Sequence, residues 1–229
     1  MKLLDPGFAF SFNIAEGFDA IWVSTGASLI RVNPATDQQE SVLRIPASGT
    51  GFSADVAVGG GYVWLGTGDG RLLRLDAATG RHRWVTGLDP IDTIAFGHGA
   101  VWTADSFGGT VSRYNTDTMR PEAEIEVAGG MDDLVSGEVA VWALSRSVGS
   151  LTKIDVSENV ATRIVPVGKD PTGLTAGLGS LWLGDEDGVI RRVDEDTRQV
   201  EDIPFGAAIR ALAFDEETDT LWVDVARPR

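Results

Sequence analysis

The sequence predicts an all-β fold, a β-propeller of six blades of about 40 residues each. Three observations carry that expectation: a tryptophan that recurs at one phase, short strand-like runs between turn residues, and no sustained apolar period of 3.6. The tryptophans act as a ruler. Trp22, Trp64, Trp102, Trp142, Trp182 and Trp222 are spaced by 42, 38, 40, 40 and 40 residues. A spacing near 40 is the length of a four-stranded blade and exceeds that of leucine-rich, ankyrin or tetratricopeptide units.

Each repeat reads as four runs rich in Val, Ile, Leu and aromatics, separated by Gly, Asp, Asn and Thr clusters. In the third repeat these are "DTIAFG", "AVWTAD", "TVSRYN" and "EAEIEV". Val111, Arg113 and Asn115 alternate with Ser112 and Tyr114, which suits half-buried antiparallel strands. Gly17, Gly61, Gly99, Gly137 and Gly179 precede the tryptophans, where the innermost strand turns back into the second and a positive φ is expected. "NPATD", "DAATG", "NTDT" and "DEDT" recur between the third and fourth strands, where an Asx side chain can bond its own backbone.

Innermost runs appear near Ala9, Ala54, Thr93, Asp133, Gly173 and Ala211, but third and fourth strands appear in only five repeats. The last blade is therefore expected to be short and to be closed by the N-terminal strand. Because "LLDPGFAF" aligns with "GLDPIDTIAF", Lys2 to Asp5 would supply the missing outer strand beside "TLWVDV". The competing reading is a larger seven-bladed ring, of which this chain is a fragment. Residues 1–229 read as a single β-propeller domain.

Composition narrows the function classes. With 19 basic and 34 acidic residues the net charge is −15, which repels phosphate backbones and anionic bilayers, so neither nucleic acid nor membrane is an expected partner. Zero cysteines excludes disulfides, thiolate catalysis and cysteine-ligated metal, and leaves the redox compartment open. The start "MKLLDPGFAF" lacks a signal-peptide core, and no run of about 18 apolar residues occurs, so the chain as written is expected to be cytoplasmic and monomeric. Excision from a larger exported or membrane protein would change that expectation.

The recurring phrase G-x-V-W, followed by G-x-V-x-R-h-D-x-x-T and "VPVGKDPTGLTAGLGSLW", resembles the virginiamycin B lyase-like (streptogramin lyase) and YVTN-type propeller repeats over essentially the whole chain. "GRLLRLDAATGRHRW" is also similar to the quinoprotein-dehydrogenase repeat, with Trp84 in place of its tryptophan. The lyase resemblance implies a magnesium-assisted elimination that uses histidine and glutamate side chains. Only His82 and His98 exist, in an outermost strand and an inner hairpin, and neither matches the motif's catalytic histidine, so the catalytic residues stay unknown. The quinoprotein cofactor implies a disulfide and more blades. Such repeats also serve in sensor kinases and as interaction modules.

In propellers the ligand funnel is built from loops entering each innermost strand and loops leaving each second strand. Three residues after each ruler tryptophan stand Thr25, Thr67, Asp105, Ser145 and Asp185, with Val225 breaking the series. Nine or ten before it stand Asn13, Asp55, Asp92, Thr93, Asp132, Asp133 and Thr172. These twelve positions predict an acidic funnel on the top face. Crowded aspartates select Ca²⁺ or Mg²⁺, with Asp92 and Asp132 as the candidate ligands, or else cap turns with no cofactor at all.

The ruler tryptophans read as core, whereas Trp84 reads as either a docking residue or a packed edge. "GDEDG" from Gly184 reads as a turn and "GTGDGR" lacks the rest of a phosphate loop. The leading expectation is a ligand-binding or protein-interaction module, taking a small ligand or a peptide. The alternative is a divalent-metal-dependent lyase or lactonase with a funnel carboxylate as general base.

Overall fold

Alternating runs of β-branched and aromatic residues fold into strands throughout, with no helix among the described residues and therefore none long and apolar enough to cross a membrane. The computed structural model describes residues 13–25, 27–45, 54–127, 130–168 and 170–225. The first blade is β1 (Asn13–Glu16), β2 (Ile21–Ser24), β3 (Ser28–Asn33) and β4 (Gln38–Arg44). The second is β5 (Ala54–Gly59), β6 (Tyr62–Thr67), β7 (Arg71–Asp76) and β8 (His82–Thr86). The third is β9 (Thr93–Gly97), β10 (Ala100–Asp105), β11 (Thr110–Asn115) and β12 (Pro121–Glu126). The fourth is β13 (Asp133–Ser136), β14 (Val141–Ser145), β15 (Ser150–Asp155) and β16 (Val160–Pro166). The fifth is β17 (Gly173–Gly177), β18 (Ser180–Gly184), β19 (Val189–Asp194) and β20 (Val200–Pro204). A last sheet holds only β21 (Ile209–Asp215) and β22 (Thr220–Val225).

Six blades were expected, and the fold corrects this to five four-stranded blades and one two-stranded sheet. Beyond Ile209 the described residues form β21 and β22 alone, and no third or fourth strand joins that sheet among them. The N-terminal strand expected to close that blade, Lys2 to Asp5, and the innermost run near Ala9 lie outside the described residues. The chain divides into two compact units, Met1–Gly108 with Arg113–Glu122, and Gly109–Ser112 with Ala123–Arg229, the division passing through the third blade.

Within each unit the core forms between consecutive blades. Trp22 and Leu29 of the first blade pack with Val56, Val63, Leu65 and Leu73 of the second. Trp64 and Leu72 meet Ile94, Val101, Tyr114 and Met119 of the third. In the other unit Trp142, Leu144 and Leu151 of the fourth blade meet Leu174, Leu181 and Leu183 of the fifth. Trp22, Trp64 and Trp142 are thus each packed by the sheet that follows their own. Trp64, Trp102 and Trp142 are fully buried, whereas Trp222 is 63 % exposed instead of being core. Trp84 is half-buried against the first core cluster, with the Arg71 guanidinium 5.5 Å from its ring, and is a packed edge.

The turns follow their residues. Asn33, Asp76, Asn115, Asp155, Asp194 and Asp215 each accept main-chain N–H groups two or three residues on, such as Thr79 N–H to Asp76 at 2.8 Å and Thr197 N–H to Asp194 at 2.7 Å. Gly61 and Gly99 adopt the positive φ that the inner hairpins require, 86° and 69°. Gly137 differs: it is glycine because a Cβ there would lie 2.2 Å from the carboxylate of Glu195.

Candidate functional site

Loops that enter the innermost strands of the third, fourth and fifth blades are braced by the residue ten positions before the tryptophan. The N–H groups of Asp92, Asp132 and Thr172 bond the carbonyls of Ala104, Leu144 and Gly184 at 2.8–2.9 Å. The carboxylates of Asp92 and Asp132 then accept the N–H groups of Ser106 and Arg146 at 2.9 and 2.8 Å. Asp92 and Asp132 belong to different units, and among the described residues no group of three or more histidines or carboxylates is set to hold a metal ion. Thr172 fills the same slot with a side chain one bond shorter, and its buried hydroxyl has no partner.

The residues three after the tryptophan brace the loops leaving the second strand. Thr25 accepts the Ser28 N–H at 3.1 Å. Thr67 accepts that of Arg71 at 3.2 Å and donates to Asp69, which pairs with the Arg71 guanidinium at 3.0 Å. Asp105 accepts the N–H groups of Phe107 and Gly108, both at 2.9 Å. Asp185 is buried, accepts the Val189 N–H at 2.9 Å, and pairs with Arg191 at 2.6 Å. The hydroxyl of Ser145 is buried without a partner.

Among the innermost-strand positions, Asn13 lies opposite Ser24 and Asp133 accepts the Leu134 N–H at 2.9 Å. Asp55 accepts the N–H groups of Val56 and, one blade on, Ile94, at 2.8 and 2.9 Å. Its removal from water pushes the Asp55 carboxyl above the ordinary aspartate value, opposed by those two N–H groups and by the hydroxyl of buried Thr93. Asn13, Thr25, Asp55, Thr67, Asp92, Thr93 and Asp105 lie in the first unit, and Asp132, Asp133, Ser145, Thr172 and Asp185 in the second.

The second unit contains a cleft of about 550 Å³ lined by Arg146, Asp170 to Thr172, Glu186, and Ala208 to Arg210. Its walls are loops of the expected kinds. Arg146 follows β14, Glu186 follows β18, and Asp170 to Thr172 lead into β17. Pro171 and Ile209 supply buried apolar floor, while Asp170, held at φ 50°, is exposed at the rim. Among the described residues no ion pair engages Arg146, Arg210, Asp170 or Glu186. Nε of Arg146 is buried without a partner, as is the hydroxyl of Thr172. The cleft therefore presents two guanidinium groups, two carboxylates and two orphaned polar atoms over an apolar base.

Of the twelve positions expected to line a funnel, Thr172 lines this cleft. Arg146 and Glu186 escaped the reading because it followed the third residue after each tryptophan and not the fourth. A signal existed there: the fourth residue is Gly26, Gly68, Ser106, Arg146 and Glu186 in successive repeats, charged only where the cleft forms.

No family model and no curated sequence matches the chain. Solved structures do. A chain of the hydrazine synthase of Kuenenia stuttgartiensis superposes with a TM-score of 0.75 over 98 % of this chain and 77 % of its own, at 12 % identity. A chain of the mitotic checkpoint complex gives a TM-score of 0.78 over 97 % of this chain and 73 % of its own, at 10 % identity. What they share with this chain is the β-propeller fold. At such identities the likeness extends to the fold alone.

Proposed function

We propose that this chain is a ligand-binding propeller module whose site is the cleft between Arg146, Thr172, Glu186 and Arg210, and whose ligand is a small zwitterion such as a short peptide. One observation carries the reading: two buried polar atoms without partners, Arg146 Nε and Thr172 Oγ1, line the same cleft. Buried donors and acceptors are almost always satisfied, so a pair left open in one place calls for a polar group from outside. The uncommitted arginines suit a carboxylate, which a guanidinium fork can bind through two bonds. Asp170 and Glu186 suit an ammonium group on the same molecule. A volume of about 550 Å³ lies within the range of small-molecule sites.

Of the loop positions named from the sequence, Thr172 enters this proposal as the hydroxyl of the site, and Asp132, Asp133, Ser145 and Asp185 of the same unit as its polar surround. Kinship with the virginiamycin B lyase-like and YVTN repeats is part of it too, supported by the phrase around each tryptophan. That one structural neighbour is a component of a named protein complex favours protein or peptide partners over a purely internal role.

Calorimetry with dialanine, N-acetyl-dialanine and dialanine amide tests the reading. Dialanine is expected to bind, each blocked form to bind at least about tenfold more weakly, and Arg146→Gln or Arg210→Gln to weaken dialanine by a similar factor, as loss of a charge-assisted bond predicts. Equal binding of all three compounds, or none of any, overturns it.

A further inference from the structure

The innermost strands of the third, fourth and fifth blades are entered through one recurring corner. A buried apolar residue opens it in each case, Ile91, Met131 or Pro171. The next residue, Asp92, Asp132 or Thr172, frames it with a main-chain bond from its N–H to the carbonyl of Ala104, Leu144 or Gly184, at 2.8–2.9 Å. An aspartate then caps it. In the third blade the Asp92 carboxylate accepts the Ser106 N–H at 2.9 Å, and in the fourth the Asp132 carboxylate accepts the Arg146 N–H at 2.8 Å.

The fifth blade keeps the frame and lacks the cap. Thr172 stands where the aspartate stands, and the N–H that corresponds to those of Ser106 and Arg146 belongs to Glu186. Among the described residues that N–H has no acceptor. Thr172 Oγ1 is buried without a partner, because a hydroxyl on Cβ reaches one bond less far than a carboxylate on Cγ. Arg146, Thr172 and Glu186 line the same cleft, and Arg146 Nε is also buried and unpartnered. All three groups can donate a hydrogen bond, and the main-chain N–H and the guanidinium can do nothing else. The corner is therefore short of an acceptor.

We infer that the ligand's carboxylate takes the place of the missing aspartate side chain, accepting the Glu186 N–H and the Thr172 hydroxyl with the Arg146 guanidinium beside it. A water molecule would satisfy the first two donors but would leave the guanidinium without a counter-charge. The inference rests on the cleft as the ligand site, and it adds which atoms hold the carboxylate. Thr172 becomes the residue that opens the site, since an aspartate or asparagine there would cap the corner from within the chain. The ligand class is a carboxylic acid, and free acetate is its smallest member.

The test follows the Glu186 amide resonance while dialanine, or acetate alone, is titrated into the native chain, Thr172→Asp and Thr172→Asn. In the native chain both ligands are expected to shift this resonance and to slow its exchange with solvent. In the two variants the shift is expected before any ligand is added, and dialanine is expected to bind at least about tenfold more weakly, the scale of losing charge-assisted bonds. Asparagine brings the same acceptor without a charge, so weakening by Thr172→Asn is not repulsion. The third and fourth blades hold aspartate on the same main-chain frame, so either variant is expected to fold. Dialanine that binds the native chain and Thr172→Asn equally, or that leaves the Glu186 amide unmoved, overturns this inference and leaves the cleft as the ligand site. Dialanine that never binds overturns the dipeptide reading, and acetate then decides the corner. An amide that shifts with acetate on the order of 10 mM in the native chain, but not in Thr172→Asn, supports the carboxylate slot, and one that does not move overturns it.

Discussion

The carboxylate of Glu195 accepts the indole N–H of Trp142 at 3.0 Å, a bond that joins the fifth blade to the fourth. In four other blades the same indole donates to the carbonyl five residues earlier, as Trp102 does to Gly97 at 3.1 Å. Glu195 is 1 % exposed and also takes the N–H groups of Glu138 and Val139 at 2.9 and 3.3 Å. Removing it leaves three donors without that acceptor, so Glu195→Ala is expected to cost about 3 kcal/mol and Glu195→Gln about 1 kcal/mol. Urea unfolding followed by tryptophan fluorescence measures both. Glu138→Ala, at an exposed carboxylate that bonds Gly179 N–H, is expected to cost less than about 1 kcal/mol.

Asp55 sets a pH dependence of the opposite sign to most carboxylates. Burial raises its folded pKa, so the folded state holds the proton more tightly than the unfolded one. Its contribution to stability is therefore greatest below the unfolded aspartate pKa of about 4 and is lost as pH rises through the raised folded value. The stability advantage of the native chain over Asp55→Asn is expected to shrink as pH rises from just below about 4 to neutrality. A difference that stays constant with pH contradicts this.

The turn aspartates behave in the usual way. Main-chain N–H bonds from Thr79, and the hydroxyl of Ser157, hold Asp76 and Asp155 below the ordinary value, and Asp194 and Asp215 are lowered by the same kinds of bond. Their contribution is present above about pH 4 and is lost as pH falls through the depressed values. Asp194→Ala is expected to lower Tm at pH 7 and to leave it nearly unchanged at pH 2, as thermal scans at the two pH values would register.

Two glycines test different physics. At Gly177 a Cβ would lie 2.0 Å from the Phe214 ring, so Gly177→Ala is expected to cost about 2 kcal/mol through overpacking. At Gly99 nothing lies within 4 Å, but φ is 69°, so Gly99→Ala is expected to cost about 1 kcal/mol through backbone strain. Chemical denaturation that ranks them the other way round would refute the assignment.

The blades were legible because each tryptophan, hairpin glycine and Asx turn is a local signal repeated at one spacing. Trp222 obeys that spacing and is still exposed, since burial is set by what packs over the ring and not by the spacing. Glu195 was invisible for a related reason. It occupies the turn position held by Pro34, Ala77, Thr116 and Val156 in the other repeats, and only the fold brings it to Trp142. Arg146 and Arg210 were not legible in the sequence, because the lack of an ion pair to either among the described residues is a property of three dimensions.

The cleft is tested most directly by the Nε–H resonance of Arg146 in a nitrogen-proton correlation spectrum during titration with dialanine. The account predicts that this buried, unpartnered N–H shifts and exchanges more slowly with solvent in proportion to bound dipeptide, and that Arg210→Gln weakens the effect. A resonance that stays unmoved while dialanine binds, or a dipeptide that never binds, would contradict it.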